Sequence, residues 1–395
     1  MRGTLPALGL GLGIAALLGL AAVAASAHGS PLRAGAPEGT DVPSAVFLAA
    51  SGAAFGLYLL ALWLLRRRGA AVATVCAVAV GIQLVPLAGP LLLSRDVYAY
   101  WDYGRLAAVH DANPYSVPPG RFARDPATRA MAPRWRRTDS VYGPVFSAAS
   151  SGLAATNGSS AEAAAFRYRL VAATGMLAVV GLAALVAPLP AFAVAFAGWN
   201  PLLALDFAGG GHNDVWMMVF VLGGLALAVR RPRLAGVSWA VAGGLKWVAL
   251  PLLPLALLGT KRKDALAIGL GFLAAAAGIV AGASWLFGTA WLSALLPFAH
   301  RHAHWAIASR LGAIGVPGWL AFAPLLLGLP LLVKSVRGGR PRLGLAAVLV
   351  LLASPWLLPW YAVWAVPLAA VEEDRLAWAL ALAVSAYLLA DRVPI

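Results

Sequence analysis

The sequence predicts an all-α protein that crosses a membrane many times. Hydrophobic residues make up 61% of the 395 positions and charged residues only 11%, whereas soluble domains carry roughly 25% charged residues. A globular interior of this size cannot bury so much apolar surface, so lipid must solvate most of the chain. We found no repeat and no linker, and we therefore expect a single membrane domain over residues 1–395.

The net charge of +15 does not indicate a nucleic-acid partner, because the basic residues lie between apolar runs and do not form a basic domain.

A membrane-spanning helix needs about 20 mainly apolar residues. The clear candidates are 5–28, 44–65, 70–93, 166–187, 189–208, 213–230, 264–287, 311–333 and 375–392. Residues 1–28 also have the features of a signal peptide, so they form either a signal anchor or a cleaved signal.

Two further apolar stretches contain prolines, which remove an amide donor and kink a helix. They are 234–259, with Pro251 and Pro254, and 343–371, with Pro355 and Pro359. Each predicts a broken span or a pair of short helices. Together the stretches predict about eleven to thirteen crossings.

The basic clusters predict the orientation, because short loops rich in Lys and Arg stay cytoplasmic. The four clusters are Arg66–Arg68, Arg230–Arg233, Lys261–Lys263 and Lys334–Arg342. All four lie inside if 234–259 enters and leaves on the same side, and the polar segment 94–143 then forms a large external loop. That loop carries eight Arg and five Asp. Either long loops simply obey the charge rule weakly, or this loop handles an anion at the outer face.

The start of the external loop contains the first candidate for chemistry. The segment 94–105 has the Tyr and Trp content typical of a lipid–water interface. Helical spacing places Asp96 on one face with Tyr100, and places Arg95 and Asp102 on another. A carboxylate at the mouth of an apolar cavity can serve as a general base. Alternatively, Asp96 caps the helix by accepting backbone amides.

After the turn Tyr142-Gly143-Pro144, the apolar run 145–156 is too short to span a membrane and predicts a re-entrant or juxtamembrane helix. Further on, a polar cluster of His212, Asn213 and Asp214 follows three glycines between two apolar runs, and Asn200 lies within the first of these runs. Ionisable groups at membrane depth indicate function. The alternative is that Asp214 caps the next helix.

Three more features carry two interpretations each. Lys246 lies deep in an apolar run, where it could hold a lipid phosphate or extend to the interface. His300-Arg301-His302-Ala303-His304 has no flanking Cys or carboxylate, so we expect no metal there; Arg301, His302 and Arg310 could contact phosphate or simply be hydrated. Trp356, Trp360 and Tyr361 surround a proline-bent segment that forms either an interfacial belt or a sugar or prenyl groove.

The chain has no phosphate-binding P-loop, no dinucleotide-binding glycine motif and no serine-hydrolase elbow, which argues against a pump, a dinucleotide enzyme and a serine hydrolase. We expect no cofactor.

The order of the short motifs resembles a known class. In sequence these are Ser94-Arg95-Asp96-Val97-Tyr98, Gly104-Arg105, Asn113-Pro114-Tyr115, Tyr142-Gly143-Pro144, Trp199-Asn200-Pro201, Gly211-His212-Asn213-Asp214, Gly244-Leu245-Lys246 and Pro355 to Tyr361. This order, over roughly residues 70 to 371, resembles the GT-C glycosyltransferases. Within that class it is most similar to the polyprenol-phosphate-mannose-dependent α-1,6-mannosyltransferases of lipomannan assembly.

The resemblance implies a GT-C-like helical bundle in the bacterial cytoplasmic membrane, with the active site on the extracytoplasmic face. It implies transfer of a mannosyl group from a polyprenyl-phosphate donor to a glycan or glycolipid acceptor, with inversion and with Asp96 as general base. Lys246, Arg301 and Arg310 would stabilise the leaving phosphate. The predicted substrate-binding residues are Arg95, Tyr98, Asp102, Arg105, Tyr142, Asn200, His212, Asn213, Asp214, Lys246, Arg301, His302, Arg310, Trp356, Trp360 and Tyr361.

The competing hypothesis is a transporter or flippase of lipid-linked substrates. Broken helices and a lysine within a span would suit one, but transporters often contain inverted repeats, which this sequence lacks. A fifty-residue external loop rich in Arg and Asp is also unexpected for a transporter. We therefore favour the enzyme.

Overall fold

The computed structural model describes residues 3–36, 39–295 and 303–394, and regular secondary structure in these ranges is helical. The α-helices are α1 (Thr4–Ser26), α2 (Asp41–Arg68), α3 (Val72–Leu84), α4 (Asp96–Val109), α5 (Pro126–Ala130), α6 (Pro144–Thr156), α7 (Ala161–Val186), α8 (Pro190–Gly198), α9 (Pro201–Ala204), α10 (Asp214–Leu227), α11 (Pro232–Leu245), α12 (Leu252–Leu258), α13 (Arg262–Phe287), α14 (Ile307–Ala313), α15 (Ala323–Arg337), α16 (Leu343–Ala353), α17 (Val366–Val371) and α18 (Arg375–Leu388). Short 3-10 helices include Val85–Ala88, Pro133–Trp135, Trp247–Ala249, Gly318–Phe322 and Pro359–Trp364, and Leu205–Gly209 forms a π-helix. The all-α prediction is confirmed.

Several of these helices are long and apolar enough to cross a membrane. Within the described ranges there are five, or six if one bent pair forms a single span: Thr4–Ser26, Asp41–Arg68, Ala161–Val186, Arg262–Phe287 and Gly318–Arg337, with Pro190–Gly198 and Pro201–Gly209 as the pair. Other predicted spans contain shorter apolar helices such as α10 and α18. A helix of 14 residues rises only about 21 Å, less than the roughly 30 Å of a bilayer core. The protein is polytopic, and the number of crossings stays a prediction.

Two predicted spans were wrong in detail. The run 189–208 is bent by 55°, because Pro201 begins a new helix whose first amides are capped by the Asn200 side chain. The span predicted at 311–333 begins later, since Gly315, with φ +75, and the following Pro317 separate α14 from Gly318–Arg337.

The stretch 234–259 is broken as predicted, but the break begins before the prolines. Helix α11 ends at Leu245, and Lys246 is extended, with φ −148 and ψ 116. Pro254 lies in the first turn of α12, where its missing N–H group would have no intrahelical partner in any case. The stretch 343–371 breaks at the predicted position, between α16 and the Pro359–Trp364 turn.

Helix α4 is held against the bundle by hydrogen bonds and by a close helix approach. Ser150 of α6 donates its hydroxyl to the backbone oxygen of Tyr100 at 2.7 Å. A Cβ at Gly104 would overlap the backbone oxygen of Ser150, so only glycine permits this approach. The buried guanidinium of Arg169 in α7 donates to the carbonyls of Gly89 and Ala208, at 2.8 and 2.7 Å. The contacts at Ser150 and Gly104 fix the helix that begins with Asp96, whereas Arg169 joins the segment before α4 to the π-helix Leu205–Gly209.

Candidate active site

A central cavity of ≈ 580 Å³ lies where α4, the loop before α6, the end of α11 and the segment after α16 meet. Its volume is within the range of about 300–1,000 Å³ that is usual for small-molecule sites. Six of the predicted site residues line it: Asp96, Tyr142, Lys246, Trp356, Trp360 and Tyr361. These residues are far apart in the sequence, and the fold brings them to one cavity.

Asp96 is the first residue of α4, and its side chain retains 18% exposure toward the cavity. The partial positive charge of a helix N-terminus favours a carboxylate at this position. Its Oδ2 atom lies 3.8 Å from Nδ1 of His212. Within the described residues no backbone amide donates to the Asp96 carboxylate, and the amide of Asp96 itself donates to Oγ of Ser94 at 3.2 Å. The carboxylate therefore faces the cavity and does not act as a helix cap.

Lys246 lies where the chain is extended after α11, and its ammonium group donates to Oδ1 of Asp214 at 2.6 Å. The indole N–H of Trp364 donates to the same oxygen at 2.8 Å. Asp214 has no solvent exposure, so its charge depends on these neighbours. Lys246 also lies 5.2 Å from the centre of the Tyr361 ring, within reach of a cation–π interaction. Lys246 thus places a cation in the cavity wall, and Asp214 anchors it.

Aromatic side chains form a third part of the cavity lining, beside the parts that contain Asp96 and Lys246. Trp360 stacks on the His212 ring, with centroids 3.5 Å apart and planes at 13°. The guanidinium of Arg392 lies 4.8 Å from the centre of Trp360. Tyr361 and Trp364 stack at 3.9 Å. Aromatic faces of this kind suit the apolar faces of a sugar ring or the double bonds of a prenyl chain.

The other half of the central cavity is apolar and reaches the protein surface. Leu252, Leu325 and Ala347 line its interior. Its rim includes Trp247, Phe322 and Val350, whose side chains are 43%, 47% and 40% exposed. In a chain that crosses the membrane, exposed apolar side chains of this kind face lipid. The central cavity therefore combines polar and apolar lining residues, and part of its apolar lining is exposed on the protein surface.

Four predicted residues of the external loop do not line the central cavity. Arg95 donates to the backbone oxygen of Gly35 at 2.8 Å, and Tyr98 packs in the apolar clusters around α4. Asp102 is buried and accepts from Thr128 at 3.1 Å; burial raises the pKa of Asp102 to about 7.

Arg105 forms a bidentate ion pair with Asp125, with a shortest N–O distance of 2.8 Å. His110 also contacts Asp125, at 2.7 Å. Burial opposes the charge on Asp125, but the hydrogen bonds from Arg105 and His110 hold its pKa below the usual value. These contacts tie α4 to the start of α5, so Arg105 stabilises the loop from a position outside the cavity.

The remaining predicted residues divide between structural contacts and neighbours of the cavity. Asn200 caps α9 and donates to the Ser385 hydroxyl at 3.2 Å. Asn213 accepts from the Tyr100 hydroxyl at 3.4 Å, and so connects the turn before α10 to α4. Arg310 lies 5.2 Å from the centre of the Trp305 ring and does not line the central cavity. Arg301 and His302 lie outside the described residues.

The sequence interpretation missed four residues at this site: Arg134, Trp135, Trp364 and Arg392. Arg134 and Trp135 lie in the Pro133–Trp135 turn of the basic loop, with the guanidinium 5.6 Å from the Trp135 ring centre. The excess of arginine in this loop was a signal for Arg134. Arg392 had no comparable signal, because it is the last residue of the predicted span 375–392 and its one charged neighbour there is Asp391.

Residues 6–262 match the family described as alpha-(1->6)-mannopyranosyltransferase, N-terminal domain. The chain belongs to this family. The matched region includes Asp96, His212, Asp214 and Lys246, whereas Trp356, Trp360 and Tyr361 lie beyond it.

Named relatives share modest identity with the chain. The alpha-(1->6)-mannopyranosyltransferase of Mycobacterium tuberculosis is 30% identical over 150 residues, which is 36% of this chain and 25% of that protein. The alpha-(1->6)-mannopyranosyltransferase A of Corynebacterium glutamicum is 28% identical in an alignment 242 residues long that covers 53% of this chain and 48% of that protein. The chain therefore spans about half or less of the length of these relatives. No solved structure matches it.

Proposed function

We propose that the protein is a mannosyltransferase that moves a mannosyl group from a polyprenyl-phosphate donor to a glycan or glycolipid acceptor, with inversion. The family to which it belongs supports mannosyl transfer. The observation that carries the proposal is the position of Asp96 in a cavity that also holds the Lys246 cation and whose apolar rim is exposed on the protein surface. A lipid-linked sugar requires both polar and apolar binding surfaces of this kind.

In the proposed reaction, Asp96 takes the proton from the acceptor hydroxyl as that oxygen attacks the anomeric carbon. The bond between the anomeric carbon and the phosphate oxygen breaks, and the phosphate leaves with the electron pair. The new bond forms on the opposite face of the sugar, which inverts its configuration. Asp96 suits this task because its carboxylate faces the cavity and accepts no backbone amide within the described residues.

The leaving phosphate gains negative charge during transfer, so cations near it lower the barrier. Lys246, Arg134 and Arg392 all line the central cavity and could provide this charge. The apolar half, with Leu252, Leu325 and neighbouring side chains, would hold the first isoprene units of the donor. The exposed rim would let the remaining chain extend into the bilayer.

We further propose that the protein lies in the cytoplasmic membrane, with the central cavity on the extracytoplasmic side. Short basic loops favour the cytoplasm, and assigning the four basic clusters to that side leaves residues 94–143 outside. This loop contributes Asp96, Arg134 and Tyr142 to the central cavity. The proposed chemistry would therefore take place at the outer face.

Replacement of Asp96 tests the proposal directly. Asp96→Asn keeps the size and polarity of the side chain but cannot take the proton, so we expect transfer to fall by about a hundredfold or more. Purified protein in vesicles is incubated with labelled polyprenyl-phosphate-mannose and an acceptor extract, and thermal unfolding and donor binding are measured beside transfer. Asp111→Asn, an exposed carboxylate in the same loop, is the matched control. Transfer that survives in Asp96→Asn contradicts the assignment of the base.

A further inference from the structure

A second, much smaller space lies behind the His212–Trp360 stack. This small chamber, of ≈ 20 Å³, shares Trp360 and Arg392 with the central cavity, so these two side chains form a common wall. Its other polar lining residues are Ser94, Asp206, His212 and Asp391. A polar space of this size can hold about one water molecule. The chamber thus offers a place for a proton carrier beside the proposed catalytic carboxylate.

Two residues that line this chamber each have a buried atom with no hydrogen-bond partner within the described residues: Nδ1 of His212 and Oδ2 of Asp206. Native proteins rarely leave such atoms unpaired, and an exception calls for an ion, a water molecule or a functional role. His212 lies between the two spaces. Its Nδ1 is 3.8 Å from Oδ2 of Asp96, and apo geometry of this length often shortens when substrates bind.

The opposite edge of the His212 ring adjoins the small chamber. Gly210 lines that chamber, and a Cβ at this position would come within 3.0 Å of His212 Nε2. The ring plane is fixed by the stack on Trp360. One nitrogen of the ring therefore faces Asp96, and the other lies toward the chamber that contains Asp206. A neutral imidazole in this orientation can accept a proton at one nitrogen and release another from its second nitrogen.

We propose that His212 and the small chamber carry the acceptor proton away from Asp96. This inference rests on the proposed function, in which each transfer leaves one proton on Asp96. The proton passes from Asp96 to Nδ1 of His212, and the proton on Nε2 passes to a water molecule in the chamber and on toward Asp206. Asp96 is then a carboxylate again, and His212 is neutral with its proton on Nδ1. After the products leave, water in the central cavity takes the Nδ1 proton and the chamber water returns a proton to Nε2, which restores the starting tautomer. The route is needed because donor and acceptor fill the central cavity during transfer.

The charged groups around His212 fit this role. The carboxylates of Asp96, Asp206 and Asp391 and the cations of Lys246 and Arg392 surround the ring. The two cations place positive charge near it, which favours the release of a proton that the ring has taken up. The carboxylates on the chamber side supply the next acceptor. His212 is thus a proton carrier that leaves the sugar to other residues.

The test compares His212→Gln with His28→Gln, because His28 is exposed on the turn after α1. Both variants are assayed in vesicles with saturating donor and acceptor, in H2O and in D2O. We expect His212→Gln to lower kcat by about tenfold or more and to leave the donor KM within about twofold. The solvent isotope effect on kcat should rise, because proton removal becomes the slow step. His28→Gln should match the natural protein.

Asp206→Asn provides a second variant in case His212→Gln does not fold, and we expect a smaller fall in kcat with the same rise in isotope effect. The relay would be overturned if His212→Gln left kcat or the isotope effect unchanged. It would also be overturned if His212→Gln changed only the donor KM. The relay and the proposed function fail separately. Transfer by Asp96→Asn would contradict the assignment of Asp96 as the base. An inactive Asp96→Asn together with a fully active His212→Gln would contradict only the relay.

Discussion

Asp214 has no solvent exposure, and its carboxylate depends on Lys246 for a compensating charge. This pair has a structural role and, in the proposed function, a role toward the donor phosphate. A buried carboxylate that loses its cation is costly, typically about 3–5 kcal/mol, whereas removal of both charges is often nearly neutral. The two roles can therefore be separated by replacing one partner or both.

We expect Lys246→Met to lower the free energy of unfolding by about 3–5 kcal/mol and to raise the donor KM. The double variant Lys246→Met, Asp214→Asn should recover most of the stability but keep the raised donor KM. Thermal unfolding in detergent and donor titration of transfer in vesicles provide the two measurements. If the double variant uses the donor as well as the natural protein does, Lys246 serves only to neutralise Asp214.

At the scale of elements, the start of α6 packs against the end of α11. Gly143 immediately precedes α6, and a Cβ there would overlap the backbone oxygens of Gly244 and Leu245. Those two residues come directly before Lys246. The contact between the elements therefore sets the position of the cation in the cavity wall.

We expect Gly143→Ala to displace the end of α11 and to reduce transfer by about 10- to 100-fold, since shifts of about 1 Å in a site have effects of this size. Gly152→Ala lies in the same helix α6, where a new Cβ meets open space. That control should keep its activity and gain about 0.5–1 kcal/mol of stability. Transfer rates and unfolding temperatures are compared side by side. Equal activity in the two variants would show that this contact does not position Lys246.

The sequence predicted the elements well where apolar length alone determines them, as in α1, α2, α7 and α13. It predicted the position of breaks less well. Helix α11 ends at Leu245, where the next residue, Lys246, forms an ion pair with Asp214 and the helix end packs tightly against Gly143. Neither contact is visible in the local sequence. The nearby prolines were the stronger sequence signal, yet one of them fits inside α12.

The candidate site was also predictable only in part, because the local sequence does not show tertiary contacts. Asp96, Lys246 and the aromatic residues after Pro355 stood out because polar or aromatic residues interrupt apolar runs. Arg105 also stood out, but its partner Asp125 is 20 residues away in the sequence. Only the folded loop shows that Arg105 is already paired with a carboxylate. Arg392 was missed, because its approach to Trp360 depends on tertiary packing.

At the scale of the whole molecule, the orientation in the membrane can be tested with introduced cysteines. Ser116 is exposed in the loop that we place outside, and Gly338 is exposed in a basic segment that we place inside. In a Cys76→Ala background, Ser116→Cys should react with an impermeant thiol reagent in intact cells. Gly338→Cys should react only after permeabilisation. The reverse pattern would place the cavity on the cytoplasmic side and contradict the proposed location.

Under the proposed function, the exposed apolar rim also determines in which units the donor concentration must be expressed. A molecule that enters between Trp247 and Phe322 arrives from the hydrocarbon layer, because both side chains line the central cavity and are exposed on the protein surface. Its encounter rate then depends on the number of donor molecules per unit area of bilayer and on their lateral diffusion. Diluting the vesicles in buffer leaves that surface density unchanged. Adding inert phospholipid to the same vesicles lowers that surface density, and we then expect slower transfer although the total amount of donor is the same.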